Sequence, residues 1–196
     1  MNLSEIIKKI PVLQEISRAA DELGFDTYVV GGFVRDHLLK RKRKEYDIDI
    51  VAVGSGIQLA KKVAEKLGKK KNVTVYKNFG TAMFSHENIQ FEFVGARKES
   101  YRSDSRKPIV EDGSLQDDQN RRDFTINAMA IDVRSGKIYD YCRGMEDLKK
   151  GIIRACSQDS LKDDPLRILR AYRLKAKLNF EIDPQTQKLI EVSISE

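Results

Sequence analysis

Apolar residues fall at Ile6, Ile7, Ile10, Leu13, Ile16, Ala19, Ala20 and Leu23. This three-and-four spacing predicts a helix with one apolar face from Ser4 to Leu23. Pro11 lacks an N–H and clashes with the preceding turn, so the helix should kink or split there. Thr27 to Val30 is a short apolar run that predicts a buried strand entering Gly31-Gly32, and Phe33 to Leu39 reads as a short helix. A second strand spans Tyr46 to Val53. An amphipathic helix follows from Ile57 to Leu67 and is stopped by Gly68. Val73 to Tyr76, Ala82 to Ser85 and Gln90 to Val94 predict three strands, joined by turns at Asn78/Gly80 and Glu87/Asn88. From Arg97 to Asn120 the pattern fails. Gly, Pro, Ser, Asp and Lys dominate there, and a long mobile loop is expected. Strands are predicted again over Ala128 to Val133 and Lys137 to Tyr141, then helices over Pro165 to Leu178 and Pro184 to Val192. The expected fold class is α+β (mixed α/β). A small mixed sheet flanked by helices runs to about residue 155, and a helical segment follows it.

Composition narrows the class. The chain has 196 residues, 40% of them hydrophobic, enough for one core plus a surplus. No apolar run approaches the roughly 18 residues of a membrane-spanning helix. Met1 to Ile10 lacks the charged start and apolar core of a signal peptide. Cys142 and Cys156 are too few for a disulfide scaffold or a four-ligand zinc site and read as inert thiols, so a cytoplasmic location is expected. His37 and His86 read as solvent or packing residues. Thirty-six Lys and Arg against 30 Asp and Glu leave a net charge of +6, which suits a polyanionic partner. Basic runs at Lys40 to Lys44 and Lys69 to Lys71 read as solvated turns or RNA contacts.

Five segments carry candidate chemistry. In Val29-Val30-Gly31-Gly32-Phe33-Val34-Arg35-Asp36, a strand enters a Gly-Gly turn and a helix leaves it. Such a turn is either a plain tight turn or one that lets the backbone approach a phosphate, with Arg35 one helical turn further on. Asp47 and Asp49 are two apart on a strand and point to the same side. They either form a solvated strand end or, as two crowded carboxylates, take a cation, for which hard oxygen donors suit Mg²⁺. Glu92, inside an aromatic strand, is either the third carboxylate of that site or an edge residue. Arg121 and Arg122 either clamp a triphosphate or pair with Glu111, Asp112, Asp117 and Asp118. Asp123 can cap the next turn, and Asn127 can hold a ribose or the loop. In Asp163-Asp164-Pro165-Leu166-Arg167, Asp164 either caps the helix or, with Arg167, reads the edge of a base. Arg170 lies beside Arg167, and Arg173 has turned further round the helix.

Together and in this order the segments resemble the class II tRNA nucleotidyltransferases and bacterial poly(A) polymerases. Gly31 to Asp36 with Asp47 and Asp49, Arg121 to Ala128, and Asp163 to Arg170 match the family's segments. Two glycines usual in the family are replaced. Lys40 follows the paired leucines, and Tyr141-Cys142-Arg143-Gly144 stands where Pro-Phe-Gly-Gly is usual. The resemblance implies a nucleotidyltransferase-type catalytic head over 1–155 and the first helices of an all-α neck over 156–196, in a protein that continues further. It implies transfer of CMP or AMP from CTP or ATP to a tRNA 3′ end or other RNA, by two-metal Mg²⁺ catalysis and with no membrane partner. Asp47 and Asp49 would hold the metals, with Glu92 as partner or base. Gly31, Gly32, Arg35, Asp36, Arg122, Asp123 and Asn127 would bind the nucleotide, and Asp164, Arg167, Arg170 and Arg173 would read or support its base. The alternatives are a poly(A) polymerase and a catalytically silent RNA-binding module. Ile50 to Gly56 reads closer to the CCA-adding branch, and the intact carboxylate pair argues against silence.

Overall fold

A computed structural model of the chain describes residues 3–41, 46–68, 72–102 and 105–195. The lysine runs at Lys42 to Lys44 and Lys69 to Lys71 lie outside the described residues. The elements are α1 (Ser4–Lys9), α2 (Pro11–Leu23), β1 (Asp26–Val30), α3 (Gly32–Leu38), β2 (Tyr46–Val53), α4 (Gly56–Lys66), β3 (Thr74–Tyr76), β4 (Thr81–His86), β5 (Ile89–Gly95), β6 (Arg97–Arg102) and β7 (Ser105–Asp112). The second half adds α5 (Leu115–Asn120), α6 (Thr125–Ala128), β8 (Ala130–Asp132), β9 (Ile138–Tyr139), α7 (Gly144–Lys150), β10 (Ile152–Ile153), α8 (Ser160–Asp163), α9 (Leu166–Leu178), β11 (Glu181–Ile182) and α10 (Pro184–Ser195). The N-terminal helix divides at Pro11, as its missing N–H requires.

Seven strands form one sheet in the order β3-β4-β5-β2-β1-β8-β9. β2 and β5 run parallel, and the other described neighbours run antiparallel. Alternation along the strands sorts the two faces. Ile48 and Ile50 on β2, Phe91 and Phe93 on β5, Val29 on β1 and Ile131 on β8 are fully buried in the main core. Leu13, Ile16 and Ala20 of α2, with Leu59, Ala60 and Val63 of α4, belong to the same cluster. The opposite face is divided. Val51 joins Tyr28, Val30, Ala96, Leu115 and Ala130 in a smaller apolar cluster. The other odd-numbered positions of β2 include Asp47 and Asp49. One strand therefore supplies core on one side and, on the other, an acidic end beside an apolar one.

The expected loop from Arg97 to Asn120 is a correction. β6 and β7 pair as an antiparallel hairpin from Arg97↔Asp112 to Arg102↔Ser105, a two-stranded sheet separate from the main one. Its order comes from backbone hydrogen bonds, which need no apolar alternation. α5 then starts on a capping box. Ser114 Oγ accepts from Asp117 N at 3.2 Å and Asp117 Oδ2 accepts from Ser114 N at 2.9 Å.

The helical segment is packed against the sheet domain. Ile168, Ala171, Leu174 and Leu178 of α9 enter the main core. β10 pairs with β11. Arg154 Nη1 donates to Asp183 Oδ1 at 2.6 Å, and its Nε donates to Asp147 Oδ2 at 3.1 Å. Among the described residues no helix is long and apolar enough to cross a membrane.

Candidate active site

β1 ends at Val30, whose register partners are Asp49 on β2 and Ala130 on β8. The chain then turns through Gly31 at φ +79° and ψ −150° into α3. This backbone conformation is essentially glycine's alone. A Cβ on Gly31 would stand 2.6 Å from Asp49 Oδ2, so the carboxylate lies directly over the turn. Asp49 is the register partner of Glu92 on β5, and Asp47 lies two residues earlier on the same side of β2. Burial pushes the Asp49 carboxyl up to about 6; Glu92 and Asp47 push the same way, and Arg122 and Arg170 oppose them. Among the described residues no group of three or more His, Cys, Asp or Glu side chains is gathered closely enough to hold a metal ion. Glu92 thus adds its charge to Asp49 without closing a three-carboxylate cluster.

A cavity of about 320 Å³ opens from this turn. Gly31, Gly32 and Asp49 line one side, and Arg35, Arg122, Asp123 and Asn127 continue the wall. Arg170, Arg173, Leu174 and Lys177 close it from α9. The spacing of these four residues is one helix face. Three of the arginines are held by carboxylates. Arg35 is 4% exposed; its Nε donates to Asp36 Oδ1 at 2.8 Å and its Nη1 to Asn127 Oδ1 at 2.5 Å. Arg122 grips Asp118 Oδ2 through Nε at 3.0 Å and Nη2 at 2.8 Å, while Arg121 pairs with the other oxygen. Burial works against the charge on Asp118, yet Arg122 and Arg121 hold its carboxyl below the ordinary value. Arg170 Nη2 lies 2.7 Å from Asp123 Oδ2. Asp123 Oδ1 accepts from Phe124 N at 2.7 Å and Asn127 Nδ2 at 3.3 Å. A larger cavity of about 440 Å³ lies beside Gly54 and Gly95, at the other end of β2 and β5, and none of the sequence-predicted site residues lines it.

Most predicted residues line the cavity; Asp36, Asp47, Glu92, Asp164 and Arg167 do not. Asp36 pairs with Arg35 behind the wall, Asp47 and Glu92 lie beside Asp49 on β2 and β5, and Asp164 and Arg167 are held at the start of α9. Asp164 Oδ1 accepts from Leu166 N at 3.0 Å, as a cap does, and Arg167 Nη1 donates to Ser160 O at 2.8 Å. Arg173 instead shares the inward face with Arg170. Lys177, which the motif reading missed, extends that face by one more turn and was legible from its spacing of seven from Arg170. Of the four acids offered as partners for the arginine pair, Asp118 takes both, and it is the fully buried one. Both replaced glycines occupy left-handed backbone, Lys40 at φ 54° and Arg143 at φ 60°. The Arg143 turn is held by Asp140, whose carboxylate accepts from Gly144 N at 2.7 Å and Met145 N at 2.8 Å.

A Gly-Gly turn under a carboxylate-bearing strand, facing a cavity walled by arginines, defines a nucleotidyltransferase-type head. Residues 27–154 match the family model described as the poly(A) polymerase head domain, and the chain belongs to that family. It is 43% identical to an A-adding tRNA nucleotidyltransferase of Aquifex aeolicus, over 86% of this chain and 20% of that relative. It is 36% identical to a CCA-adding enzyme of Lactobacillus johnsonii, over 96% of this chain and 46% of that relative. A solved CCA-adding enzyme in an apo form superposes with a TM-score of 0.87 at 32% identity, over 100% of this chain and 47% of its own. A tRNA nucleotidyltransferase solved with a primer tRNA and an incoming ATP analog superposes with a TM-score of 0.77 at 39% identity, over 92% and 50%. The chain spans half or less of the length of these relatives.

Proposed function

We propose that the chain is the catalytic head, residues 1–155, with the first neck helices, 156–196, of an enzyme that adds nucleotides to a tRNA 3′ end. The reaction joins the 3′-hydroxyl oxygen to the α-phosphorus of CTP or ATP and releases pyrophosphate. The observation that carries this reading is Asp49, poised over the Gly31 turn at the mouth of the arginine-walled cavity. Asp47 and Asp49 fit a divalent cation: both are hard oxygen donors, and burial, with the charges of Glu92 and Asp47 adding, raises the Asp49 carboxyl, a cost that a cation would offset. Mg²⁺ is the proposed ion, and when bound it would activate the hydroxyl and neutralise charge on the phosphates.

The chain's own groups do the rest. Gly31 and Gly32 let the backbone approach the phosphates. Arg122 stays cationic, because Asp118, Asp49 and Asp123 outweigh its burial, and it neutralises the triphosphate. Asp118 holds its guanidinium in place beforehand. Arg35, locked to Asp36 and Asn127, is a rigid floor beneath the ribose. Glu92 takes the proton of the attacking hydroxyl on its carboxylate. Arg170 and Arg173 face the cavity as phosphate or base contacts. Asp164, just before α9, and Arg167, in its first turn, are the base-selecting pair that the family resemblance implies, although neither lines the cavity in this structure.

The 43% identity to an A-adding relative favours a narrower reading, addition of the terminal A alone. The experiment supplies tRNAs ending before CCA and before the final A, with Mg²⁺ and labelled CTP or ATP, and sequences the products. CMP and AMP on the shorter tRNA support CCA addition. AMP only on the longer one supports A addition. Incorporation of neither, by this chain and by its full-length form alike, refutes the proposal. The tRNA-adding relatives give no support to the poly(A) reading.

A further inference from the structure

We propose that Tyr139 and Tyr141 form a stacking platform for bases of the RNA strand that leads into the active site, with Lys137 beside it for the backbone phosphates; this rests on the RNA-extending reading above. The placement follows from strand register. Glu92, Asp49, Val30, Ala130 and Tyr139 are successive partners across β5, β2, β1, β8 and β9. Directly opposed residues lie on one face of a sheet, so the Asp49 carboxylate and the tyrosine share a face. Packing agrees, because Tyr139 lies against the cluster of Tyr28, Val30, Val51 and Ala130. Three strand spacings of about 4.8 Å put Tyr139 roughly 14 Å from Asp49. That is about four steps of a stacked strand at ~3.4 Å each. The platform is therefore within reach of the nucleotides just behind the reacting 3′ end.

The rings are graded in exposure. Tyr28 is 7% exposed and meets Tyr139 edge-on, with centroids 5.4 Å apart. Tyr139 is half-buried, and Tyr141, 6.5 Å further out and tilted by 39°, is 49% exposed. Lys137 Nζ lies 4.8 Å from the Tyr139 ring centroid. β9 is the edge strand of the sheet. The backbone between the rings is fixed. Gln119 Nε2 donates to Tyr139 O at 3.0 Å, and Tyr141 N donates to Gln119 Oε1 at 2.9 Å. Gln119 is fully buried and stands three residues before Arg122, so one amide joins the platform to the arginine wall. The Asp140 carboxylate, between the rings, is engaged by Gly144 N and Met145 N. An aromatic face held this way accepts a base of any identity, because every base has a π-face. Exposed Lys137 and Arg143 flank the rings, which suits a polyanionic strand better than an apolar protein surface. Tyr141 also takes the place of the proline usual in the family, so the outer ring is a feature of this chain.

The test follows nucleotide addition by the full-length form and RNA binding by the chain itself. Tyr141→Ala should raise the KM for tRNA about tenfold. It should leave kcat and the KM for ATP unchanged, the split expected when ground-state RNA binding is lost. Tyr141→Phe, which keeps the ring, should restore the KM for tRNA. An unchanged KM for tRNA in Tyr141→Ala, or an equal rise in both KM values, overturns the platform. The chain contains no tryptophan, so Tyr141→Trp places a single reporter at the outer position. A short single-stranded RNA should quench its emission, and an abasic strand of equal length should not. Equal quenching by both, or by neither, overturns stacking. Nitration of the full-length form should reach Tyr141 in the free protein and be blocked by RNA. Protection already present without RNA means that another part of the protein covers the ring, and overturns the proposal. Should wild type add no nucleotide, the transfer reading fails by itself, and the tryptophan quenching still decides the platform.

Discussion

Gly31→Ala separates backbone strain from active-site geometry. At φ +79° and ψ −150° an L side chain pays about 1–3 kcal/mol. The new Cβ would also stand 2.6 Å from Asp49 Oδ2, so the carboxylate must move. A displacement near 1 Å in a catalytic group costs about a hundredfold in rate. Gly24→Ala is the matched control. Gly24 ends α2 at φ +68°, and a Cβ there meets nothing within 4 Å. It should lose about 1–2 kcal/mol and leave activity at the wild-type level. Urea unfolding gives the stability of both variants, and nucleotide incorporation onto tRNA gives their rates. The reasoning is refuted if Gly31→Ala matches Gly24→Ala in both measurements.

Three further outcomes follow from the same packing. Asp118→Asn leaves Arg121 and Arg122 without their buried partner and should cost about 3 kcal/mol in urea unfolding at constant m-value; a loss below about 1 kcal/mol contradicts the buried-pair account. Lys40→Gly and Arg143→Gly should each raise stability by about 1 kcal/mol, because both residues hold left-handed backbone that glycine adopts freely; a fall in thermal midpoint contradicts this. Burial, with Asp26 adding, pushes the Tyr28 phenol up to about 12, whereas an unfolded tyrosine ionises near about 10. Folding stability is then full below pH ~10 and falls as the pH rises towards 12. Tyr28→Phe should flatten that slope, and an unchanged slope assigns it elsewhere.

The sheet and its flanking helices were legible because burial imposes a period. Ile48, Ile50, Phe91 and Phe93 alternate against one core, and α2 and α4 repeat every three or four residues. The hairpin of β6 and β7 was not legible, since its order comes from backbone pairing and carries no apolar alternation. α5 left a short signal, Ser114 three residues before Asp117. In the site, Gly31, Asp49, Arg35 and Arg122 could be found from motifs. Their mutual locks could not, because which acid an arginine chooses is decided by burial, and Asp118 is the buried one. Which residues of α9 face the cavity was hidden for a similar reason. Counting from Arg167 sets Arg173 aside, whereas the packing of Ala171, Leu174 and Leu178 turns Arg170, Arg173 and Lys177 to the cavity.

The central claim is that Asp47 and Asp49 are the carboxylates on which nucleotide transfer depends. The most direct measurement compares wild type with the Asp47→Ala, Asp49→Ala double variant. Pyrophosphate release and labelled AMP incorporation onto a tRNA lacking its 3′ end are followed together with Mg²⁺ present, and folding is checked by urea unfolding. The account predicts a folded variant that releases no pyrophosphate and incorporates no AMP above background. A folded variant that incorporates AMP at the wild-type rate would contradict it.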